Sequence, residues 1–415
     1  MTCNNQQQLP INQTAVDGNV SSASSLNSVN SRPKLSRRAV LATAGLSILA
    51  GCLGGADDDT ATDDSDVLPD IPRVEDPPSA VYVPTHRETM GHLPTISVGD
   101  YALSPMITYP HQFWTVTGNT AELVQPDDRR GVHLMVSPWD PDTEQVLPID
   151  SGASFRVLLH GDVIETVTPW PMLSQTMGFH FGDNLRLPMD DVYTVEIELP
   201  PISARKENEF SDKFNEAVTG SFEFVYDDDL RHRLVENVEY LEEAYWGQRG
   251  ALEPLGHGDI VPVEGRALDT DSDDQGHAHD HEGDALDTAH DHDAPFSTVP
   301  DETAYPGTVL GVEESGDAQI VVVYLTDSES LLVSPRTPYN AIPLADMAMS
   351  VSGAIEGHLE QTIDPALGLH YRIDAVLNPG DSVTISIDSP PQVSRHAGYE
   401  TSFLDMDAVE VSYEE

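Results

Sequence analysis

The sequence predicts an all-β protein in which one sandwich-type domain occurs twice. Three observations carry this reading. Apolar or alternating runs such as "GVHLMV", "SFRVLLHG", "YTVEIELPP" and "GSFEFVYD" are cut at short intervals by Gly, Pro, Asn and Asp, the pattern of short strands joined by turns. The pattern stops near residue 228 and resumes near 303 with "AQIVVVYL", "LHYRIDAVL" and "SVTISIDSPP". Finally, "GFHFGDNLRLPMDDVYTVEIELPP" from Gly178 and "GLHYRIDAVLNPGDSVTISIDSPP" from Gly368 align without a gap. Identical pairs are Gly178/Gly368, His180/His370, Leu187/Leu377, Asp191/Asp381, Thr194/Thr384, Ile197/Ile387 and both closing prolines. An internal duplication accounts for all three.

In chain order, residues 1–52 read as an N-terminal extension and export signal. Arg37-Arg38 precede an apolar run from Ala39 to Ala50, too short to span a bilayer but suited to a signal peptide. The Ser-Arg-Arg start resembles a twin-arginine signal, and Leu49-Ala50-Gly51-Cys52 resembles a lipobox, which makes Cys52 the lipidated N-terminus of the mature chain. Residues 53–79 are acidic and lack periodicity, so they read as a disordered tether. Residues 80–228 form the first Ig-like sandwich. Within 229–248, Leu230, Leu234, Val238, Leu241 and Tyr245 recur at helical spacing, which predicts one amphipathic helix. Residues 249–302 are rich in Gly, Asp and His, contain no strand of useful length and read as a linker. Residues 303–415 form the second Ig-like sandwich.

Charge narrows the function. The net charge is −51, from 71 acidic and 20 basic residues, and only Lys34, Lys206 and Lys213 are lysines. Carboxylate excess with lysine poverty suits a halophilic protein solvated in concentrated salt, which screens the repulsion within about 3 Å at molar strength. It argues against nucleic acid as a partner. Cys3 and Cys52 both lie near the start, so the body has no cysteine nucleophile or thiolate metal site. No Gly-x-Ser-x-Gly, P-loop, Gly-x-Gly-x-x-Gly or His-Glu-x-x-His motif occurs, and the expectation is that the protein is not an enzyme.

Metal chemistry is the positive signal. His133 and Met135 stand at i, i+2 on a predicted strand and so share one face, and Met172 lies eight residues before His180. Imidazole with thioether suits copper; imidazole with carboxylate would suit iron, manganese or zinc. In the second copy the matching candidates are His370 and His396, with Met347 and Met349 as substitute thioethers. The linker adds His277, His279, His281, His290 and His292 interleaved with carboxylates, a composition that wraps divalent ions with modest selectivity.

Around His133-Leu134-Met135, Pro171-Met172 and Gly178-Phe179-His180-Phe181-Gly182-Asp183-Asn184, the first copy resembles the bacterial periplasmic iron-transport family of Ig-like copper- and iron-binding proteins. The match spans roughly residues 95–227. The resemblance implies metal-binding roles for His133, Met172 and His180, an iron or copper ion as cargo, a membrane permease as partner, and pairing of domains as a homodimer or within one chain. Two departures stand out. Met135 replaces the family's glutamate. The family's later histidine is matched by His396 in the second copy, where the first has Lys206. The reading is an exported, lipid-anchored protein on the extracellular face of the membrane that binds iron or copper and hands it to a permease. The alternative is a surface interaction module without a functional metal site.

Overall fold

The computed structural model describes residues 11–12, 71–126, 131–255, 260–268, 295–296 and 298–414. The export signal, with Arg37, Arg38 and Cys52, and the five histidines of the linker lie outside these residues. The chain is all-β, and the two copies are two sandwiches.

In the first sandwich, strand β1 (Met90–His92), β2 (Tyr101–Thr108), β3 (Gly131–Asp140), β4 (Trp170–Ser174) and β5 (Gly178–Arg186) lie in one sheet, in the order β1-β2-β3-β5-β4. A second sheet, built on Ser154–Leu159, Asp191–Leu199 and Val218–Tyr226, faces it. Between them, Leu103, Ile107, Val132, Leu134, Val136, Phe179 and Phe181 pack against Phe155, Val195, Ile197, Phe222 and Phe224 in one core. These residues alternate along their strands, as a half-buried strand requires. Yet all ten residues of β3 are buried. The face of β3 turned away from the core, with His133, Met135 and Ser137, is therefore also covered.

The second sandwich repeats the plan with β6 (Ala318–Leu325), β7 (Ser330–Arg336), β8 (Gly357–Asp364) and β9 (Gly368–Asp374), in the order β6-β7-β9-β8. The repeated Gly-x-His opening now has a structural reason. Gly178 (φ +72°) and Gly368 (φ +66°) close equivalent hairpins in the left-handed region that favours glycine, and they set His180 opposite Met172 and His370 opposite Thr362.

The copies exchange arms. After Pro390-Pro391, β10 (Ser394–Arg395) leaves the second sandwich and pairs in parallel with Met172 and Leu173 of β4. After Pro200-Pro201, Arg205–Lys206 leaves the first sandwich and pairs in parallel with Thr362 and Ile363 of β8. Proline cannot donate to a ladder, so the paired prolines end each strand and free the chain to cross.

Two expectations are corrected. The helix spans Asp228–Glu236, capped by the Asp227 carboxylate accepting from Leu230 N–H, rather than reaching residue 248. Beyond it, Leu241 N–H donates to Thr85, Gly247 N–H to Val83, and Val83 N–H to the carbonyl of Gln248. Pairing with the entering chain wins over the helical spacing of the apolar residues. The linker is also partly structured: Ile260–Pro262 extends the first sheet along β1, and Gly265–Leu268 pairs with Val218–Tyr226.

In the arm exchange, Glu207 forms ion pairs with Arg372 and with Arg205, and its pair with Arg372 is largely buried. Glu207→Ala is expected to cost about 3–5 kcal/mol, the usual range when one partner of a buried pair is removed. The loss should persist in molar salt, where a loss at the exposed Arg156–Glu196 pair should vanish. Urea midpoints of both variants at low and high salt check this.

Candidate metal centre

The covered face of the first sheet gathers imidazoles. On β3, His133 stands opposite Thr108 of β2 and Asn184 of β5; on β5, His180 stands opposite Met172 of β4. The backbone N–H of His396, just past β10, donates to the carbonyl of Leu173 at 3.1 Å, which plants its ring beside these residues. His111 follows β2 and completes the group. Ring centroids are 4.2 Å apart for His111 and His133, 5.1 Å for His111 and His396, and 5.1 Å for His180 and His396. His111, His133 and His396 offer ligand nitrogens that all lie within 4.8 Å of one another.

The hydrogen bonds fix which nitrogens are free. His111 Nδ1 meets the carbonyl of Tyr109 at 3.1 Å, His133 Nδ1 meets Asn184 Oδ1 at 3.0 Å, and His180 Nδ1 meets the carbonyl of Gly178 at 3.3 Å. The Asn184 amide cannot be reversed. Its Nδ2 donates to the carbonyl of His111 at 2.9 Å, while its Oδ1 accepts from His111 N–H at 3.2 Å. All three rings therefore carry the proton on Nδ1 and turn an Nε2 lone pair inward. His396 lies between, with Nδ1 3.2 Å from His111 Nε2 and Nε2 3.2 Å from His180 Nε2. A neutral imidazole has one N–H, so one of those two contacts sets lone pair against lone pair. His133 Nε2 is fully buried and has no hydrogen-bond partner. Several lone pairs share one proton, and a cation at their centre satisfies them all.

Space and electrostatics agree. A Cβ placed on Gly182 would come within 3.0 Å of both His133 Nε2 and Met172 Sδ and 3.3 Å of the His180 ring. Glycine there keeps open the point on which the donors converge. Burial, followed by repulsion from neighbouring imidazoles, holds His133 and His396 well below the usual histidine range, and burial holds His180 down to about 3. The rings are thus neutral and ready to ligate at pH 7. A cleft of about 230 Å³ lined by His86, Glu88, Tyr109 and His111 opens onto the group, and Glu88 Oε1 stands 3.5 Å from His111 Nε2. The donor set of imidazoles and one thioether fits copper, with the rings of His111, His133 and His180 each held by an oxygen partner behind it.

The structure brings together His133, Met172, His180 and His396 from the sequence-predicted set. It pairs His396 with His180 of the other copy rather than with His370, because the arm crosses. Met135 shares the face of His133, as alternation demands, but packs with Met90, Met106 and Met177. Met347 and Met349 belong to the apolar core of the second sandwich. His111, Asn184 and Glu88 were not singled out in the sequence. Asn184 stands in the quoted motif two residues past Gly182, and its role could have been read from alternation; His111 and Glu88 sit outside any periodic pattern.

His370 stands apart from this group. Its Nδ1 repeats the bond of His180, meeting the carbonyl of Gly368 at 3.1 Å, but its surroundings differ. The sheet register places Ser330 where the first copy has His133, Thr362 where it has Met172, and Arg372 where it has Gly182. The incoming arm delivers Glu207, whose N–H donates to the carbonyl of Ile363, where the first copy receives His396. The Arg372–Glu207 ion pair fills the equivalent space.

Residues 303–412 match the family described as a domain of unknown function, DUF7350. Among solved structures, the chain is similar to a copper-bound glutamate-to-glutamine variant of FetP from uropathogenic Escherichia coli. Identity is 15%, the match covers 33% of this chain and 97% of that one, and the TM-score is 0.26. No curated protein matches the chain.

Burial holds His370 down to about 4, against about 6.5 in an unfolded chain. Between those values the unfolded state binds the extra proton, so the contribution of a neutral buried ring is complete above about pH 6.5 and is lost on acidification. Asp183 and Asp346, raised by burial to about 6, act in the opposite sense, so a comparison isolates the ring. Between pH 7.5 and 5, His370→Asn should gain about 2 kcal/mol relative to wild type. Metal-free denaturant melts of both proteins at the two pH values test this; parallel pH profiles would contradict it.

Proposed function

We propose that the protein binds one copper or iron ion per chain at the cluster of His111, His133, His180 and His396 with Met172, for transfer to a membrane permease. The observation that supports this best is the arrival of His396 from the second copy among inward-facing imidazole lone pairs that no proton count can satisfy. Copper fits the donors better than iron, since the nearest carboxylate, Glu88, touches only His111 at the mouth. Transfer needs no chemical turnover. The opening past Glu88 and His86 gives the ion a path that begins at a hard, hydrated-ion ligand and ends at softer ones. The second copy, its equivalent space filled by an ion pair, serves as the donor of His396 and as a cover for the site.

Equilibrium competition with a copper chelator, using the full mature chain, tests the reading. Wild type should take up one Cu(II) per chain at this site. His396→Ala and His180→Ala should each weaken it by at least 10–100-fold, the scale seen even for groups behind the ligands. Gly182→Ala should weaken it comparably by occupying the point of convergence, while His370→Ala should leave it unchanged. No uptake by wild type, or an effect of His370→Ala equal to that of His396→Ala, would overturn the assignment.

We further propose that the chain is exported by the signal around Arg37-Arg38 and held at the extracellular membrane face by a lipid on Cys52. Among the described residues no helix is long and apolar enough to cross a membrane. Cys52→Ser should move mature protein from the membrane fraction to the medium; retention in the membrane fraction would refute the anchor.

A further inference from the structure

The sheet face that carries the imidazoles continues into methionines. Met106 of β2 stands directly opposite Met135 of β3, two pairs along from Thr108 and His133 and so on the same face. Met90, Met106, Met135 and Met177 are all buried and pack together as a separate cluster. Met106 and Met177 line a cavity of about 50 Å³ with His92, Ser137 and Leu255, and no charged side chain lines it among the described residues. That volume exceeds what one water-sized occupant needs.

Core packing alone does not explain these thioethers, because the duplication supplies a control. In the second sandwich Val323 stands opposite Leu332 as Met106 stands opposite Met135. Leu332 pairs with Arg372 as Met135 pairs with Gly182. Leu367 precedes Gly368 as Met177 precedes Gly178. The sister copy fills this volume with ordinary aliphatic residues, in a cluster with Tyr305, Val321 and Leu325. The first sandwich's own core, on the opposite face of the same strands, is built of Leu, Ile, Val, Phe and Tyr and uses no methionine. Within the first sandwich the buried methionines are thus confined to the face that carries the imidazoles, although the second sandwich does place Met347 and Met349 in its own core.

We propose that Met106 and Met177, with His92 on the cavity wall and Met90 and Met135 packed behind them, form a second metal site, selective for a soft monovalent ion of the Cu(I) class. Thioethers are neutral, polarisable ligands that select Cu(I) over hard divalent ions. A half-buried cavity without charged walls favours the same choice, since the cost of desolvating an ion rises steeply with its charge. The site is distinct from the imidazole cluster and does not depend on it.

The test is anaerobic titration of the full mature chain with Cu(I) against a colorimetric Cu(I) chelator, repeated with Ag(I). Wild type should bind two equivalents. The Met106→Leu/Met177→Leu double variant is nearly volume-conserving. It should lose one equivalent and keep wild-type Cu(II) binding at the imidazoles. His180→Ala should weaken the other equivalent alone. Retention of both equivalents by the methionine variant, a single equivalent in wild type, or loss of both sites together would overturn the proposal. X-ray absorption of copper-loaded His180→Ala provides a readout that needs no methionine substitution. A sulfur-dominated shell supports the site, and a shell of nitrogen and oxygen refutes it.

Discussion

The parallel pairing of two short arms with the opposite sandwich is the constraint on which the site depends. Ser394 and Arg395 pair with Met172 and Leu173, and Arg205 and Lys206 pair with Thr362 and Ile363. Each arm has only two residues in the ladder, so backbone bonds alone hold it weakly. Burial does the rest for the first arm. Arg395 is fully buried and turns its guanidinium back on the carbonyls of its own loop, including Pro391 at 3.0 Å, with Phe403 beneath it. That arrangement satisfies carbonyls that the crossing chain cannot pair elsewhere. It also fixes the residue that follows, His396, to within a single rotamer choice of the cluster.

The register of the exchange separates the copies. Counted from the paired prolines, the arms meet their partner strands one residue out of step, so His396 enters one pocket and Glu207 the other. The same divergence runs through the pocket walls. Gly182 against Arg372 and Met172 against Thr362 are coordinated differences, since a guanidinium at the glycine position requires a carboxylate opposite and excludes an ion between imidazoles. One pocket keeps unsatisfied donors, which costs stability in the metal-free chain. The other has converted the same space into a closed ion pair. Duplication thus releases one copy to act as structural complement to the other, a division that a symmetric homodimer cannot make because both of its pockets are identical.

The strands, the duplication and the candidate ligands His133, Met172 and His180 were legible in the sequence because each leaves a local signal. Alternation marked the faces of His133 and Met135; the repeated Gly-x-His marked a hairpin that only a left-handed residue can close. What was not legible is tertiary. Nothing in "PPQVSRHAGYE" says which sandwich receives His396. His111 follows the end of a strand after a proline, and its place is set by Asn184, far away in sequence. The helix failed past Glu236 for a related reason: Val238 and Leu241 keep helical spacing, but the chain that passes Val83 and Thr85 offers Leu241 and Gly247 backbone partners the sequence does not announce.

On the proposed reading, ligand softness is the physical answer to the chain's own charge. A surface carrying 71 acidic residues gathers every cation in its vicinity, and in the concentrated salt that this composition suits, the field is screened within about 3 Å. Under those conditions attraction to carboxylates cannot distinguish a scarce transition ion from abundant sodium, potassium or magnesium. Discrimination has to come from donors that hard ions do not want. On the proposed reading, that accounts for a site whose buried ligands are imidazoles and a thioether, and for the placement of Glu88 at the mouth. There its charge can assist entry and leaves the choice of ion to the interior.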